Sequence, residues 1–406
     1  MTVAIYLDHA ASTPLSRPAI AAYTEALSLV GNPASIHGHG QAARRLLEES
    51  REAIAAALGA DRVEVTLTSG GTEAVNLAVK GLWWARRSLE GRPLLAGAAT
   101  PAPTSVSPAG SPRNRILVPR AEHHATLDAV HWLQAHEGAV VEWLPVDAQG
   151  RLELPALERA LGPDVALLTL LAANNEVGTL QPVAEAIALA TAHGVPVHVD
   201  AIGAVGAVPV HFRELGAAAL SVTAHKLGGP VGVGALLIAR SATVVPLLHG
   251  GDQQRSRSGT QDAAGAAAFA AALTEAVRLE HVPRVTALRD RLIAGVLASV
   301  PGSQLRGDPE LRLPGNAHIT FAGCEGDSLL YLLDASGISV STGSACQAGV
   351  PEPSHVLAAM GVPEAEARGA LRITLGTTST DTDVDAFLAA IPDAVTRARA
   401  AADSAG

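Results

Sequence analysis

The sequence predicts an α/β fold, in which helices cover a mostly parallel sheet and a smaller α+β unit follows. Short apolar runs alternate with longer helical patterns over the first two-thirds of the chain. Runs that are apolar throughout and separated by helices are typical of strands buried on both faces of a parallel sheet. From about Gly265 the pattern changes to long helical stretches with one clear strand-like run, which indicates the smaller unit.

Seven apolar runs predict the strands of the sheet, at residues 63–68, 115–118, 140–145, 166–171, 195–199, 219–223 and 234–239. Helical patterns lie between them, at 40–58, 73–89, 127–136 and 183–193. The later part predicts helices at 266–280, 284–300, 327–336 and after 380, with a strand at 317–321. The Pro-rich residues 97–112 interrupt the alternation, and we expect an exposed insertion there.

The composition indicates a folded chain with a sizeable core. Of the 406 residues, 48% are hydrophobic and only 17% are charged, which excludes wholesale disorder. This length favours two or three domains. Because aromatic residues make up only 3%, the core must be built mainly from Ala, Val and Leu.

Charge and hydropathy argue against nucleic-acid and membrane roles. The 39 acidic and 29 basic residues give a net charge of -10, whereas a nucleic-acid groove needs clustered Lys and Arg. Residues 195–210 form the richest apolar stretch, but Asp, Gly and Pro interrupt it. The first residues show no signal-peptide pattern, and two cysteines cannot form a disulfide framework. We expect a cytoplasmic protein with no membrane and no direct nucleic-acid partner.

Two polar residues stand at predicted strand ends. Lys226, flanked by His225 and glycines, follows the run at 219–223, and Asp200 ends the run at 195–199. Ligands of α/β sheets bind at this end of the strands. A lysine that forms an imine and an aspartate that pairs with a protonated pyridine are the protein's part in pyridoxal phosphate (PLP) chemistry. Singly, the lysine could be an ordinary surface residue and the aspartate a helix cap, so only the pair carries the interpretation.

Three further motifs follow other predicted strands. The small residues and Thr72 of TSGGTE suit a phosphate at a helix N-terminus. His123 of EHHA could stack on a cofactor ring or act as acid and base, and Asn175 of NNEVG could bond a phenolate or a carboxylate. Each motif alone is compatible with a plain turn, cap or core histidine. The sequence has no HExxH and no paired cysteine spacing, so we expect no metal site.

The two cysteines lie in different contexts. Cys346 in STGSACQAG is surrounded by small and polar residues, as expected for an exposed nucleophile on a mobile loop. Cys324 in FAGCEGDSLL lies beside strand-like apolar residues, which fits a buried structural cysteine. A disulfide between them is disfavoured in a reducing compartment.

Taken together, the motifs resemble the cysteine desulfurases of the class V aminotransferase-like PLP enzymes. The resemblance covers nearly the whole chain, in the order YLDHAASTP, GNPASIHGHGQAAR, TSGGTE, EHHA, NNEVG, HVDA, AHK, RSGT, STGSAC, EPSHVLAAMG and LRITLG. STGSAC, with the long segment before LRITLG, resembles the long-loop group typical of iron–sulfur assembly. The family implies the fold type I of PLP-dependent transferases, with a mostly parallel seven-stranded sheet in a large domain over 16–265. Residues 1–15 and 266–406 would form a smaller α+β domain that carries the cysteine loop.

The resemblance also implies cofactor-binding residues. Lys226 matches the lysine that binds PLP covalently, Asp200 matches the partner of the pyridine nitrogen, and His123 matches the histidine that stacks on the ring and is a candidate acid and base. Asn175 would assist at the cofactor and at the substrate. The residues that match the phosphate site are Gly71, Thr72, Thr223 and His225. Thr260 of RSGT matches a phosphate contact from a second subunit, which implies a homodimer.

For the substrate, the resemblance implies L-cysteine, with its carboxylate bound by Arg372 of LRITLG. Cys346 matches the sulfur acceptor, so the implied reaction yields alanine and a Cys346 persulfide. The persulfide would pass to an acceptor protein, such as an iron–sulfur scaffold or a thiolation enzyme.

Two alternatives stay open at this point. One is a related PLP lyase or transaminase, such as a selenocysteine lyase, which the role of Cys346 would discriminate. The other is a catalytically retired sulfur-relay partner, suggested by two departures from the family pattern. Gly203 stands where the family usually has a Gln that donates to the cofactor's phenolic oxygen, and GGDQQ at 250–254 replaces a more Gly-rich stretch that contains Glu.

Overall fold

A computed structural model describes residues 5–88, 113–343 and 353–405. Cys346 and the Pro-rich insertion lie outside these residues. In chain order the strands are β1 Ile5–Tyr6, β2 Val65–Thr68, β3 Arg115–Pro119, β4 Val140–Leu144, β5 Val165–Leu171, β6 Val197–Asp200, β7 Ala219–Thr223, β8 Gly234–Ile238, β9 Ser303–Arg306, β10 Asn316–Phe321, β11 Ile338–Ser339 and β12 Ala370–Thr374.

The helices surround these strands. They are α1 Arg17–Leu27, α2 Gly38–Leu58, α3 Gly71–Ser88, α4 His124–Glu137, α5 Leu154–Ala160, α6 Val183–Ala192, α7 Phe212–Leu215, α8 Ala263–Ala276, α9 Val282–Ser299, α10 Gly326–Ala335, α11 His355–Ala359, α12 Glu364–Ala367 and α13 Asp381–Ala405. Within the described ranges, no helix is long and apolar enough to cross a membrane.

The large sheet has seven strands in the order β2-β8-β7-β6-β5-β3-β4. Strands β3 to β7 pair in parallel, whereas β8 runs antiparallel to both of its neighbours, β7 and β2. All seven predicted strands are therefore present, and the sheet is mostly parallel as predicted. The antiparallel direction of β8 has a physical reason: only residues 224–233 connect it to β7, and a parallel crossover needs a dozen or more residues.

Alternating side chains of the sheet enter two apolar cores. On β3, Ile116 and Val118 pack with α3 and α4, while Leu117 packs on the opposite face with α2, α6 and α8. This alternation is the period of two that a strand covered on both faces requires. The helices of the parallel part thereby hold the carboxyl ends of β5, β6 and β7 side by side, and the site forms at that edge.

Helix ends place two of the site's motifs. α3 begins at Gly71, directly after the turn that follows β2, so the TSGGTE motif forms the positive end of this helix. α4 begins after His123, whose ring nitrogen Nδ1 accepts a hydrogen bond from the Ala125 N–H at 3.1 Å. An imidazole thus serves as the N-cap that Ser or Asp usually provides.

A further core, separate from the two beside the large sheet, lies around a three-stranded antiparallel sheet in the order β12-β10-β9. It contains Leu7, and β1 pairs with β11, so residues 5–7 pack with this unit. α8, however, adds Phe269 and Leu273 to the core of the large sheet. We therefore propose to move the predicted domain boundary from residue 266 to the link between α8 and α9.

Candidate active site

A cavity of about 550 Å³ lies at the carboxyl edge of the large sheet, where the small unit faces it. Nine residues from the sequence analysis line this cavity: Gly71, Thr72, His123, Asn175, Asp200, Thr223, His225, Lys226 and Arg372. Thr260 does not line it, and its side chain is exposed. The strand-end motifs therefore meet in one place, as parallel strands require.

Two opposite charges dominate the floor of the cavity. The buried Asp200 carboxylate accepts a hydrogen bond from the Ile202 N–H at 2.9 Å, and burial raises the pKa of Asp200 to about 6. Burial also lowers the pKa of the Lys226 ammonium, although the nearby Asp200 partly opposes this shift. Among the described residues, Lys226 has no ion pair within 4 Å. Asp200 thus lacks a close cation, and the amine of Lys226 is easier to deprotonate than a surface lysine.

Glu122 is a second buried carboxyl group beside Asp200. Its role could not be predicted from the sequence. Its Oε1 atom accepts the Leu171 N–H at 2.8 Å, while Oε2 has no hydrogen-bond partner in the described part of the chain. Burial and the nearby Asp200 raise the pKa of Glu122 well above its usual range. The protonated form is therefore favoured at Glu122, which leaves Asp200 as the anion of the pair.

His123 is held neutral and in one tautomer. Burial, with the nearby Lys226, lowers the pKa of His123 to about 4. Since Nδ1 accepts the Ala125 N–H, the neutral ring carries its proton on Nε2. His123 can therefore offer a flat apolar face and one N–H donor to the cavity, which suits stacking on a ring better than proton abstraction.

The residues predicted to bind the phosphate line the same cavity. Gly71 and Thr72 begin α3, so their N–H groups have no partners within the helix. A side chain at position 71 would meet the end of the Ile202 side chain at 2.4 Å, so any residue other than glycine would have to displace Ile202. Thr223 and His225 face the same space from the end of β7. Backbone donors, two hydroxyls and a positive helix end are what a phosphate needs.

The small unit contributes Arg372 from β12, and two groups fix its guanidinium. Nη1 donates to the Asn175 carbonyl and Nη2 to the Asp8 carboxylate, each at 3.0 Å. Arg372 is buried, yet it lines the cavity. Asn174, in contrast, is structural, because its side-chain oxygen accepts the N–H groups of Glu176 and Val177. The NNEVG motif thus divides into a turn-forming Asn174 and a cavity-facing Asn175.

The described residues on both sides of the segment that carries Cys346 line the cavity. Gly343 and His355 both line the cavity. The His355 Nε2 atom lies 2.8 Å from the Glu122 carbonyl, which ties the returning chain to the EHHA motif. Cys324, by contrast, is buried in the small core with its Sγ atom 3.8 Å from the Val395 carbonyl. The buried structural environment expected for Cys324 is therefore observed.

Gly203 leaves open space where the family usually has a Gln side chain. A Cβ atom at this position would meet only the Ala173 carbonyl, at an ordinary 3.6 Å. A second cavity of about 420 Å³ adjoins the first, and the two share Gly203 and Lys226 among their lining residues. Neither backbone strain nor crowding at Cβ requires glycine here, and the two adjoining cavities leave space beside this position.

The residues around the cavity fit PLP. Asp200 is a buried carboxylate in need of a cation, and the start of α3 provides a phosphate cradle. The chain contains two lysines, Lys80 and Lys226, of which only Lys226 lines the cavity. No group of three or more metal-binding side chains was found in the ranges that the structure describes.

Comparisons with known proteins agree with this fit. The Aminotransferase class-V family model matches residues 5–94 and 96–387. An IscS-like cysteine desulfurase of Mycobacterium tuberculosis is 52% identical, over 98% of this chain and 98% of its own. A cysteine desulfurase IscS of Dictyoglomus turgidum is 40% identical, over 94% of this chain and 92% of its own.

Solved structures give the same result. A NifS-like protein matches with a TM-score of 0.85 and 31% identity, covering 97% of this chain and 100% of its own. A NifS-like protein from Rickettsia africae matches with a TM-score of 0.82 and 27% identity, covering 97% and 99% of the two chains. The fold is therefore fold type I of PLP-dependent transferases, and the chain belongs to the class-V aminotransferase family, among its PLP-dependent cysteine desulfurases.

Proposed function

We propose that this enzyme takes sulfur from L-cysteine onto Cys346 as a persulfide and releases L-alanine. The observation that carries the proposal is the convergence of Lys226, Asp200 and Arg372 on one cavity whose rim meets both ends of the Cys346 segment. Gly343 and His355, which lie on either side of the segment that carries Cys346, both line this cavity. Their positions support sulfur transfer inside the cavity.

Each protein group has a task that its environment supports. Arg372 binds the α-carboxylate of cysteine, and Asn175 keeps the guanidinium in place. Lys226, with its lowered pKa, provides a neutral amine that takes the Cα proton. When bound, PLP supplies the electron sink that makes this proton removable. Asp200 holds the negative charge that favours a protonated ring nitrogen, and His123 covers the ring.

The sulfur step needs the Cys346 thiolate. It attacks the substrate sulfur, the S–S bond forms, and the Cβ–Sγ bond of the substrate breaks. The electron pair of the broken bond remains on Cβ, which takes up a proton to complete the methyl group, and Lys226 returns a proton to Cα to complete alanine. The persulfide then passes to an acceptor protein, an iron–sulfur scaffold or a thiolation enzyme, in the cytoplasm where the two cysteines stay reduced.

We further propose that the active unit is a homodimer. Large apolar side chains are exposed along the N-terminal stretch: Leu15, Ile20, Leu27, Leu29, Val30 and Ile36. Exposed apolar patches of this kind mark contact surfaces. Thr260 is exposed and does not line the cavity of its own chain, which supports a role at the phosphate site of the second subunit.

Borohydride reduction tests the role of Lys226. We expect reduction of the holoenzyme to attach the cofactor to Lys226, and Lys226→Ala to lose this link entirely. Lys80 is a matched control, because it too is partly buried with a lowered pKa but lies 4.5 Å from the Trp132 ring. Peptide mass spectrometry identifies the modified lysine. An adduct on Lys80 would refute the assignment.

Exchange of the cysteines tests the sulfur acceptor. Cys346→Ser should bind PLP normally and release no sulfide from L-cysteine under reductant, a loss of at least a hundredfold. Cys324→Ser should keep its sulfide production, because this thiol is buried away from the cavity. Sulfide release is measured for both variants, and absorbance gives the PLP occupancy of each. Full sulfide release by Cys346→Ser would favour a lyase that acts without a cysteine nucleophile.

Mixed dimers test the contribution of Thr260. A dimer of one Lys226→Ala chain and one Thr260→Ala chain, isolated with two affinity tags, should contain one intact site if Thr260 acts across the interface. We expect it to retain PLP at half the wild-type sites during dilution. If Thr260 acts within its own chain, no site is intact and the mixed dimer retains no more PLP than Thr260→Ala alone. A monomeric wild type would also contradict the proposal.

Gly203→Gln tests the missing hydrogen bond to the cofactor. The added amide has room and would draw charge from the cofactor's phenolic oxygen. We expect the pH at which the visible band of the Lys226-bound cofactor titrates to fall by about one unit or less. Visible spectra recorded across a range of pH give this titration point. Gly203→Leu is the control, because it adds a side chain of similar size that has no hydrogen-bond donor. A rise in the titration point would show that the charge argument is wrong.

A further inference from the structure

The carboxylate of Asp8 contacts the guanidinium that binds the substrate. Asp8 Oδ1 lies 3.0 Å from Arg372 Nη2, with 19% of the Asp8 side chain and 7% of the Arg372 side chain exposed. Among the described residues it is the one carboxylate within 4 Å of this guanidinium. A buried cation needs such a partner, and the pair lies in the cavity wall.

The backbone holds Asp8 at this position. The Leu7 carbonyl accepts the Thr374 N–H at 2.7 Å, and Asp8 forms a parallel bridge with Thr374, two residues beyond Arg372 on β12. Leu7 itself is fully buried in the small core. The backbone at Asp8 is thus fixed alongside the strand that carries Arg372, which keeps the Asp8 side chain next to the guanidinium.

Neighbouring groups give Arg372 no second anion. His318 is its cross-strand partner on β10, and burial together with Arg372 lowers the pKa of His318 to about 3. Both ring nitrogens of His318 lack a hydrogen-bond partner in the described ranges. A neutral imidazole cannot balance the guanidinium, and Lys226, the other basic group nearby, provides no negative charge. The orientation of Arg372 therefore depends on Asp8 and on the Asn175 carbonyl.

We infer that Asp8 is a positioning residue for substrate binding, which rests on the proposed function of this site. Asp8 and the Asn175 carbonyl occupy two of the five N–H donors of Arg372 and fix the plane of the fork. A carboxylate ligand then meets donors that are already oriented, which reduces the entropy lost on binding. Asp8 touches no substrate atom in this scheme; it acts through Arg372.

The inference predicts a selective loss of carboxylate binding. In the holoenzyme, Asp8→Asn should weaken binding of L-alanine, followed by the visible spectrum, by about tenfold to a hundredfold. Binding of L-alaninamide, which lacks the carboxylate, should change less than twofold. The KM of L-cysteine should rise in parallel with little change in kcat. Asp308→Asn is the control, because Asp308 pairs with Arg151 at 3.5 Å outside the cavity.

One further variant, Asp8→Glu, and the pattern of outcomes decide the role of Asp8. Asp8→Glu keeps the negative charge but places it on a longer side chain. If Asp8 positions Arg372, this variant should bind L-alanine more weakly and L-alaninamide as before. If Asp8 only balances charge, it should bind L-alanine as the wild type does. Equal weakening of both ligands would mean that Asp8 only supports the fold. Tighter L-alanine binding in Asp8→Asn would mean that Asp8 competes with the substrate. If neither ligand alters the wild-type spectrum, the proposed function itself fails.

Discussion

A buried carboxylate without a close cation is the constraint on which this active site depends. Asp200 ends a fully buried strand, and the raised pKa of the second carboxyl, Glu122, leaves Asp200 as the anion. Lys226 stands on the neighbouring strand end, but it makes no ion pair within 4 Å in the described ranges. Such an arrangement costs folding free energy unless a cationic ring completes it. Binding of the cofactor's cationic ring would offset this cost in folding free energy, and the buried carboxylate would thereby increase the affinity for the cofactor.

The second constraint is that two separately packed units must build one cavity. The large sheet supplies the groups that we propose bind the cofactor, and the small sheet supplies Arg372. Contacts across the boundary fix their relation: Arg372 donates to the Asn175 carbonyl, and the Thr13 N–H donates to the His225 carbonyl at 2.9 Å. The chain start therefore bridges both units, with Asp8 beside Arg372 and Thr13 beside the Lys226 turn.

Much of the site was predictable because strand-end residues converge in any parallel sheet. The positions of Lys226 and Asp200 required only the order of apolar runs. Asp8 and Glu122 were not predictable in the same way, since their roles depend on which side chain lies opposite and on how deeply it is buried. The antiparallel direction of β8 could not be predicted from its composition, because it depends on the short connection that precedes the strand. The boundary that we propose after α8 could not be placed from the sequence for a related reason, because an Ala-rich helix packs equally well on either unit.

The protonation state of the cofactor's ring nitrogen would test this explanation. The ¹⁵N chemical shift of labelled PLP bound to the wild-type enzyme at pH 8 reports it without reference to turnover. Because the pKa of Asp200 lies at about 6, its carboxylate is ionised at that pH and should hold the ring nitrogen protonated. A shift typical of protonated pyridine is the expected result. A shift typical of neutral pyridine would show that Asp200 does not provide the counter-charge and would contradict the electrostatic basis of the site.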